Sequence, residues 1–598
     1  MRKLKWTLAI IALCGVCYGQ ENEDFVRSKA GEVNFGKTPV EAYTPEIREN
    51  MKRLYHDKIG LFVHFGAYAQ LEGIWNGKQV SAEWIMRTAA IPVADYEREA
   101  AGKFNPSRFN ADEWVSVAKR AGMGFMVVTS KHHDGFAMFK SKNPYNIVDF
   151  TKFKRDLIGE LVVACKKEDI GFGVYYSQSQ DWHEDGAVGN DWDFPKNQPQ
   201  EKFDAYFDNK VVPQVTELTT QYDDLFMFWF DTPSRMKDSQ CVQLMDIIKK
   251  NQPAMLVNSR IGNGYGHFNV SLDGGQTPNV KKTDWLPDLK VPWQTHTSVA
   301  GSWGYTKWAA NRDRSADYTS FIYNLCNIVS HGGVELLNVA PAPDGTIPLS
   351  QVESLVAIGD WLKVNGEAIY DADPSPFIFP QFAITSKPGK LYLHLKADAT
   401  EPIKLEGLLS KVQKVYCLAD ADKQALKFQQ KNGELTIQLP SHLVQPHVTV
   451  VVLEIDEKTA RVADETIVPE SDGTIELPVA KCTFAILRIG YNYDRQVTRR
   501  WGENKDQGLI WTVRIDKPLG KYKLISEQTG DTALQYKVSV LDQSILVDAS
   551  GSKEMSRKEA SGVITFNKPG TYTITANPQV TIKNTNYEFK GLTLVPIR

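Results

Sequence analysis

Cysteine is scarce in this chain. Seven occur in 598 residues, and Cys14 and Cys17 fall in the N-terminal leader. The other five, Cys165, Cys241, Cys326, Cys417 and Cys482, are odd in number and far apart. That spacing argues against a disulfide framework or a cysteine-held metal and for thiols buried in a core. Excess charge is lacking too: 69 Lys and Arg against 72 Asp and Glu leave a net −3. Nothing in that balance points to nucleic acid or to an anionic membrane surface as a partner. Beyond residue 16 no apolar run is long enough to span a bilayer, so no membrane span is expected.

The leader itself is informative. Met1-Arg2-Lys3-Leu4-Lys5 is basic, Trp6 to Val16 is apolar, and Cys17-Tyr18-Gly19 places small residues where a signal peptidase reads. A secretory signal over 1–19 is expected, cut after Gly19. Val16 before Cys17 and Leu13 before Cys14 do not suit a lipoprotein signal. The mature chain is expected in the periplasm or outside the cell.

From about 55 to 365, strand-like runs alternate with amphipathic helices, at about 110–120, 156–167, 201–220, 239–251 and 314–330. Such alternation predicts an α/β fold of (β/α)8-barrel type over 20–365. After Gly366 short strands punctuated by turn residues take over, predicting a β-sandwich over 366–457. A further all-β domain is expected over 458–598, either carbohydrate-binding or purely structural. Fourteen Trp and twenty-three Tyr suit sugar rings and large cores equally.

Three of the expected strands release polar groups at the same end. Leu225-Phe226-Met227-Phe228-Trp229-Phe230 delivers Asp231; Gly124 to Ser130 leads into Lys131-His132-His133-Asp134-Gly135; Lys58 to Val63 ends in His64-Phe65-Gly66. In a parallel barrel, chemistry sits at the carboxyl ends of the strands. An unused carboxylate is costly at the end of a strand buried on both faces.

These segments, with Glu83-Trp84, Gly173-Val174-Tyr175-Tyr176-Ser177, Gly189 to Pro195, Ser302-Trp303-Gly304-Tyr305 and Leu336-Leu337-Asn338-Val339, occur in an order that resembles glycoside hydrolase family 29, the α-L-fucosidases. The likeness spans about 40–455. It implies a retaining mechanism on a glycan or polysaccharide substrate, without a cofactor or a metal. On the matching positions Asp231 is the nucleophile. His64, Glu83, Trp84, His132, His133, Tyr175, Arg260 and Trp303 hold the sugar. The sugar is fucose or a relative such as L-galactose.

Two positions depart from the family pattern. Pro292-Trp293-Gln294-Thr295-His296 has Gln294 where the resemblance places the acid/base Glu, and an amide cannot donate and recover a proton. Gly332-Gly333-Val334-Glu335 carries Glu335 where the family has an apolar residue. Three readings stay open. The acid is relocated, to Asp273, Asp284, Asp288, His296 or Glu335; or the substrate has a good leaving group; or the chain is a non-catalytic sugar-binding protein.

Each motif also has a plain structural reading. His132-His133-Asp134 invites a metal, yet adjacent strand residues point to opposite faces. Glu335 is more commonly a buried ion pair than an acid. Asp181, Asp185, Asp191 and Asp193 form an acidic loop, expected to be solvated or capping rather than a calcium site. The sequence is silent on oligomeric state.

Overall fold

The structure is a computed structural model describing residues 43–270, 293–377, 381–397 and 402–597, the last span with short interruptions. Residues 1–42, which include the expected signal segment, and the 271–292 segment, which holds Asp273, Asp284 and Asp288, lie outside the described residues.

Seven parallel strands form the first sheet: β1 (Ile59–Val63), β2 (Phe125–Lys131), β3 (Gly171–Ser177), β4 (Met227–Asp231), β5 (Leu256–Val257), β6 (Trp293–Ser298) and β7 (Gly333–Val339). Their order is β5-β4-β3-β2-β1-β7-β6. The sheet curls, and its two edges meet through Phe268 to Val270. Asn258 bridges Phe268 and Val270 bridges Gln294, both in parallel. The expected α/β barrel is therefore present.

Helices flank and connect the strands: α1 (Pro45–Asp57) ahead of β1, α2 (Ala111–Arg120), α3 (Leu157–Lys167), α4 (Val212–Gln221), α5 (Asp238–Asn251) and α6 (Tyr318–Ser330) between strands, and α7 (Leu349–Asn365) after β7. Local chemistry sets their ends. Thr44, Asn110 and Asp156 each accept a first-turn N–H as N-cap of α1, α2 and α3. Lys119 and Arg120 sit in the last turn of α2, against the negative end of its dipole.

Strand parity divides the buried side chains. Phe62, Phe125, Val127, Tyr175, Met227, Trp229, Val334 and Leu336 fill the barrel interior, closed below by Met51 and Leu54 of α1. Leu61, Val63, Met126, Val128, Phe228, Phe230, Leu337 and Val339 face outward, into the core shared with the helices. At about 25 cal/mol per Å² of apolar surface, each such residue contributes on the order of 2 kcal/mol. All strand residues of β1, β2, β3, β4 and β7 are buried, as their unbroken apolar sequence requires.

The antiparallel sheets follow. A four-stranded sheet (384–455) turns Tyr392, Val448, Val450 and Val452 onto the barrel core and Leu391, Leu393, Val451 and Leu453 onto a three-stranded sheet. The Trp361 indole of α7 donates to Val448 O at 2.8 Å and ties barrel to sandwich. Residues 467–594 build a separate core between two further sheets. The five cysteines among the described residues are buried thiols, and no helix among the described residues is long and apolar enough to cross a membrane.

Candidate active site

Asp231 closes β4, only 9% exposed. Its Oδ1 accepts from the Thr232 N–H at 2.9 Å and from Arg260 Nη1 at 2.8 Å. Its Oδ2 accepts from the Tyr175 hydroxyl at 2.7 Å. The backbone beneath is pinned from both sides. Asp231 N–H donates to Gln178 Oε1 at 3.0 Å, and the Asn258 amide bonds both the N–H and the carbonyl of Phe230. Thr232 follows at φ 55°, a left-handed conformation that costs a β-branched residue. Strain of that kind persists only where the surroundings impose it.

Aromatic rings build the floor. Tyr175 stacks on Trp229 at 5.4 Å and 17°, and His132 stacks on Tyr175 at 5.4 Å and 10°. The Arg260 guanidinium lies over Trp229 at 5.1 Å. Burial holds the Tyr175 hydroxyl well above its ordinary pKa, helped by Asp231, so it stays a donor. Burial, with the adjacent His133 and His64, keeps the His132 pKa well below its ordinary value and the ring neutral.

His133 closes the wall. Ser177 Oγ donates to Gln180 O at 2.8 Å and so accepts from His133 Nδ1–H at 2.7 Å. His133 Nε2 then faces Asp231 Oδ2 at 3.7 Å. Trp84 packs on His133 at 5.1 Å and on Trp182 at 5.2 Å. Glu83 Oε2 accepts from Gly304 N–H at 2.7 Å, which locks the Trp303 turn beside His64 and His296. Asp231, His64, Glu83, Trp84, His132, His133, Tyr175, Arg260 and Trp303 are thus linked in one constellation at the carboxyl ends of the strands.

Several expectations need correction. His132 and His133 do not point to opposite faces: β2 ends at Lys131, and past it the pleat no longer applies, so the rings lie 4.1 Å apart. Glu335 is no candidate acid. It has the outward parity of β7, between the inward Val334 and Leu336, and accepts from Thr297 at 2.7 Å and Asn324 of α6 at 2.9 Å. Those partners are neutral, so the expected ion pair is replaced by hydrogen bonds. Gln294 is not in a loop. It lies on β6, fully buried, accepting from the Trp229 indole at 2.7 Å.

The acidic loop is not simply solvated either. Asp181 is fully buried, 2.9 Å from Lys131 Nζ and 2.8 Å from Lys210 Nζ. Asp185 pairs with Lys202, Asp191 with Lys196, and Asp193 accepts from Val93 N–H. Sequence reasoning gave no role to Ser177, Gln178, Asn258 or Asn338. Ser177 and Asn338 lie within the family-like motifs and Asn258 lies two residues before Arg260, and those positions are the signal the sequence offers for them.

The sequence model of the α-L-fucosidase family matches residues 36–367. The chain belongs to the α-L-fucosidase family. Tissue α-L-fucosidase of Rattus norvegicus is 32% identical over 340 residues, covering 53% of this chain and 69% of that protein. The Dictyostelium discoideum α-L-fucosidase is 27% identical over 344 residues, 53% of this chain and 70% of its own. Among solved structures, the α-L-fucosidase from Vibrio sp. strain EJY3 superposes with a TM-score of 0.67 at 29% identity, covering 92% of this chain and 98% of its own. Isoenzyme 1 from Paenibacillus thiaminolyticus covers 69% of this chain and all of its own, at TM-score 0.59 and 28% identity. This fucosidase-family chain is thus a glycoside hydrolase by descent, and its resemblance to the Vibrio enzyme runs through the antiparallel sheets.

Proposed function

We propose that the chain removes terminal α-L-fucosyl residues, or the closely related L-galactosyl residues, from glycans or polysaccharides with retention of configuration, after export to the periplasm or the medium. The observation that carries this is Asp231: a nearly buried carboxylate with Oδ1 on Arg260 and Oδ2 on Tyr175, at the end of a rigid strand. A nucleophile needs such restraint, because the bond to the anomeric carbon forms from one oxygen in one direction. His64, His132, His133, Glu83 and Arg260 supply donors and acceptors for the sugar hydroxyls, and Trp84 and Trp303 supply flat apolar faces. Glu335 faces away from the site and Gln294 is an amide that accepts from Trp229, so the proton donor is sought among Asp273, Asp284, Asp288 and His296.

The test is hydrolysis of aryl α-L-fucosides and aryl α-L-galactosides carrying good and poor leaving groups, with the first-formed anomer read by proton NMR. The proposal expects α-sugar as first product and a 2-fluoro-fucosyl adduct on Asp231 by mass spectrometry. Replacing the acid, by Asp273→Asn, Asp284→Asn, Asp288→Asn or His296→Phe, should slow the poor leaving group by about 10²–10⁴-fold and the good one far less. Sugar binding without turnover or adduct would instead mark a non-catalytic carbohydrate-binding protein.

A further inference from the structure

Asn338 sits on the inward parity of β7, fully buried, where the strand reaches the active site. Its side-chain orientation is set by its donor end. Nδ2 donates to Trp303 O at 2.8 Å and to Ser298 Oγ at 3.1 Å, both groups that accept. The amide oxygen is therefore the atom turned to His64, 2.7 Å from Nδ1. A carboxamide oxygen only accepts. His64 Nδ1 must carry a proton, and in the neutral ring Nε2 is left as the lone-pair atom. The ring also packs on Phe62 of the barrel interior and on His132, Tyr175 and Trp303, members of the same constellation.

We infer that Asn338 is a positioning residue: it fixes His64 in the Nδ1–H tautomer so that Nε2 accepts a proton from a sugar hydroxyl, and it couples that histidine to the Trp303 turn. The second half rests on the reading of His64 as a sugar contact. The other tautomer would reverse that bond: the ring N–H would donate, and the hydroxyl would have to turn its proton to a different acceptor, so the site would no longer select for a donating hydroxyl. One amide thus aligns two contacts that the chain supplies 239 residues apart, Trp303 and His64 (303 − 64).

The decisive measurement is nitrogen NMR of 15N-histidine-labelled full-length protein, with His64 assigned by the missing signal in His64→Asn. Wild type should show the Nδ1–H pattern. Asn338→Asp keeps an acceptor opposite Nδ1 but loses the donor to Trp303, so the tautomer should persist. Asn338→Leu removes both and should yield mixed tautomers. With aryl fucoside, KM for Asn338→Leu should rise about 10-fold or more with a smaller change in kcat. In wild type, replacing the contacted hydroxyl by fluorine, which cannot donate, should weaken binding similarly. A wild-type His64 protonated on Nε2 overturns the inference outright and needs no variant to fold. Failure of every aryl fucoside to bind, with the tautomer as stated, would instead count against the fucoside reading alone.

Discussion

The Tyr175 hydroxyl donates to Asp231 Oδ2 across 2.7 Å, while the ring of the same tyrosine separates Trp229 from His132. One side chain therefore both restrains the carboxylate and stacks the floor of the pocket. The register explains it: Tyr175 of β3 pairs with Trp229 of β4, and both carry inward parity. Removing the hydroxyl alone leaves the stack intact. Tyr175→Phe should lower kcat/KM by about 10–100-fold, since a hydrogen bond to a charged group is worth about 1.5–3 kcal/mol. Steady-state kinetics on an aryl α-L-fucoside checks it, with circular dichroism unchanged.

Loss of the carboxylate is a larger event. Asp231→Gly should lose more than about 10³-fold in kcat, because no neighbour can form the covalent intermediate. Azide should restore turnover on a good leaving group and give the β-azide. Full activity in Asp231→Gly would remove the nucleophile from this position.

Gln294→Glu tests the amide on β6. Gln294 is fully buried and already accepts from the Trp229 indole. A carboxyl there has nothing to protonate and must be desolvated. The variant should gain no activity on a poor leaving group and should lose about 1–3 kcal/mol of stability in urea. A rate gain on that substrate would show that this position does serve the aglycone.

Glu335 sets a pH dependence of stability. Burial pushes its carboxyl up from 4.5 to about 7, against the opposing pull of Thr297 and Asn324. Below pH 4.5 folded and unfolded chains both hold the proton; from there to about pH 7 the unfolded chain releases it first. Stability is thus full below the lower value, falls across the window and levels above it, by a total of about 3 kcal/mol. Glu335→Gln should abolish that slope, raising Tm at pH 8 relative to wild type and changing it little at pH 5. Parallel scans at the two pH values decide the matter.

Asp181 answers for the wall that carries His133. Its carboxylate lies between Lys131 and Lys210, and Trp182 N–H donates to His133 O at 2.7 Å. Gly135 follows that turn at φ 76°, and a Cβ there would collide with Asp181 Oδ1. Asp181→Ala leaves the buried Lys131 ammonium without its carboxylate, while Lys210 keeps Glu184 at 3.0 Å, and should cost about 3–5 kcal/mol. Urea denaturation measures it, and a loss under about 1 kcal/mol would show that water replaces the carboxylate.

Local sequence was sufficient for the barrel strands and for the end of the molecule that carries the chemistry. Apolar runs bounded by polar residues mark buried strands whatever the rest of the chain does, and Asp231, His64 and His133 follow such runs directly. Parity was another matter. Whether Val334 or Glu335 faces the lumen depends on ring closure and on α6 packing outside it, which no window of sequence contains. The same holds for Gln294, a loop residue by motif and a strand residue by its pairing with Val334 of β7. The partners of Asp181 come from β2 and from Lys210, distant along the chain, so a carboxylate that reads as solvated is buried between two cations. Asn338 shows the limit most plainly. Its place at the end of an apolar strand is written in the sequence, but its two hydrogen-bonding ends acquire direction only when β1 and the Trp303 turn are brought to either side of it.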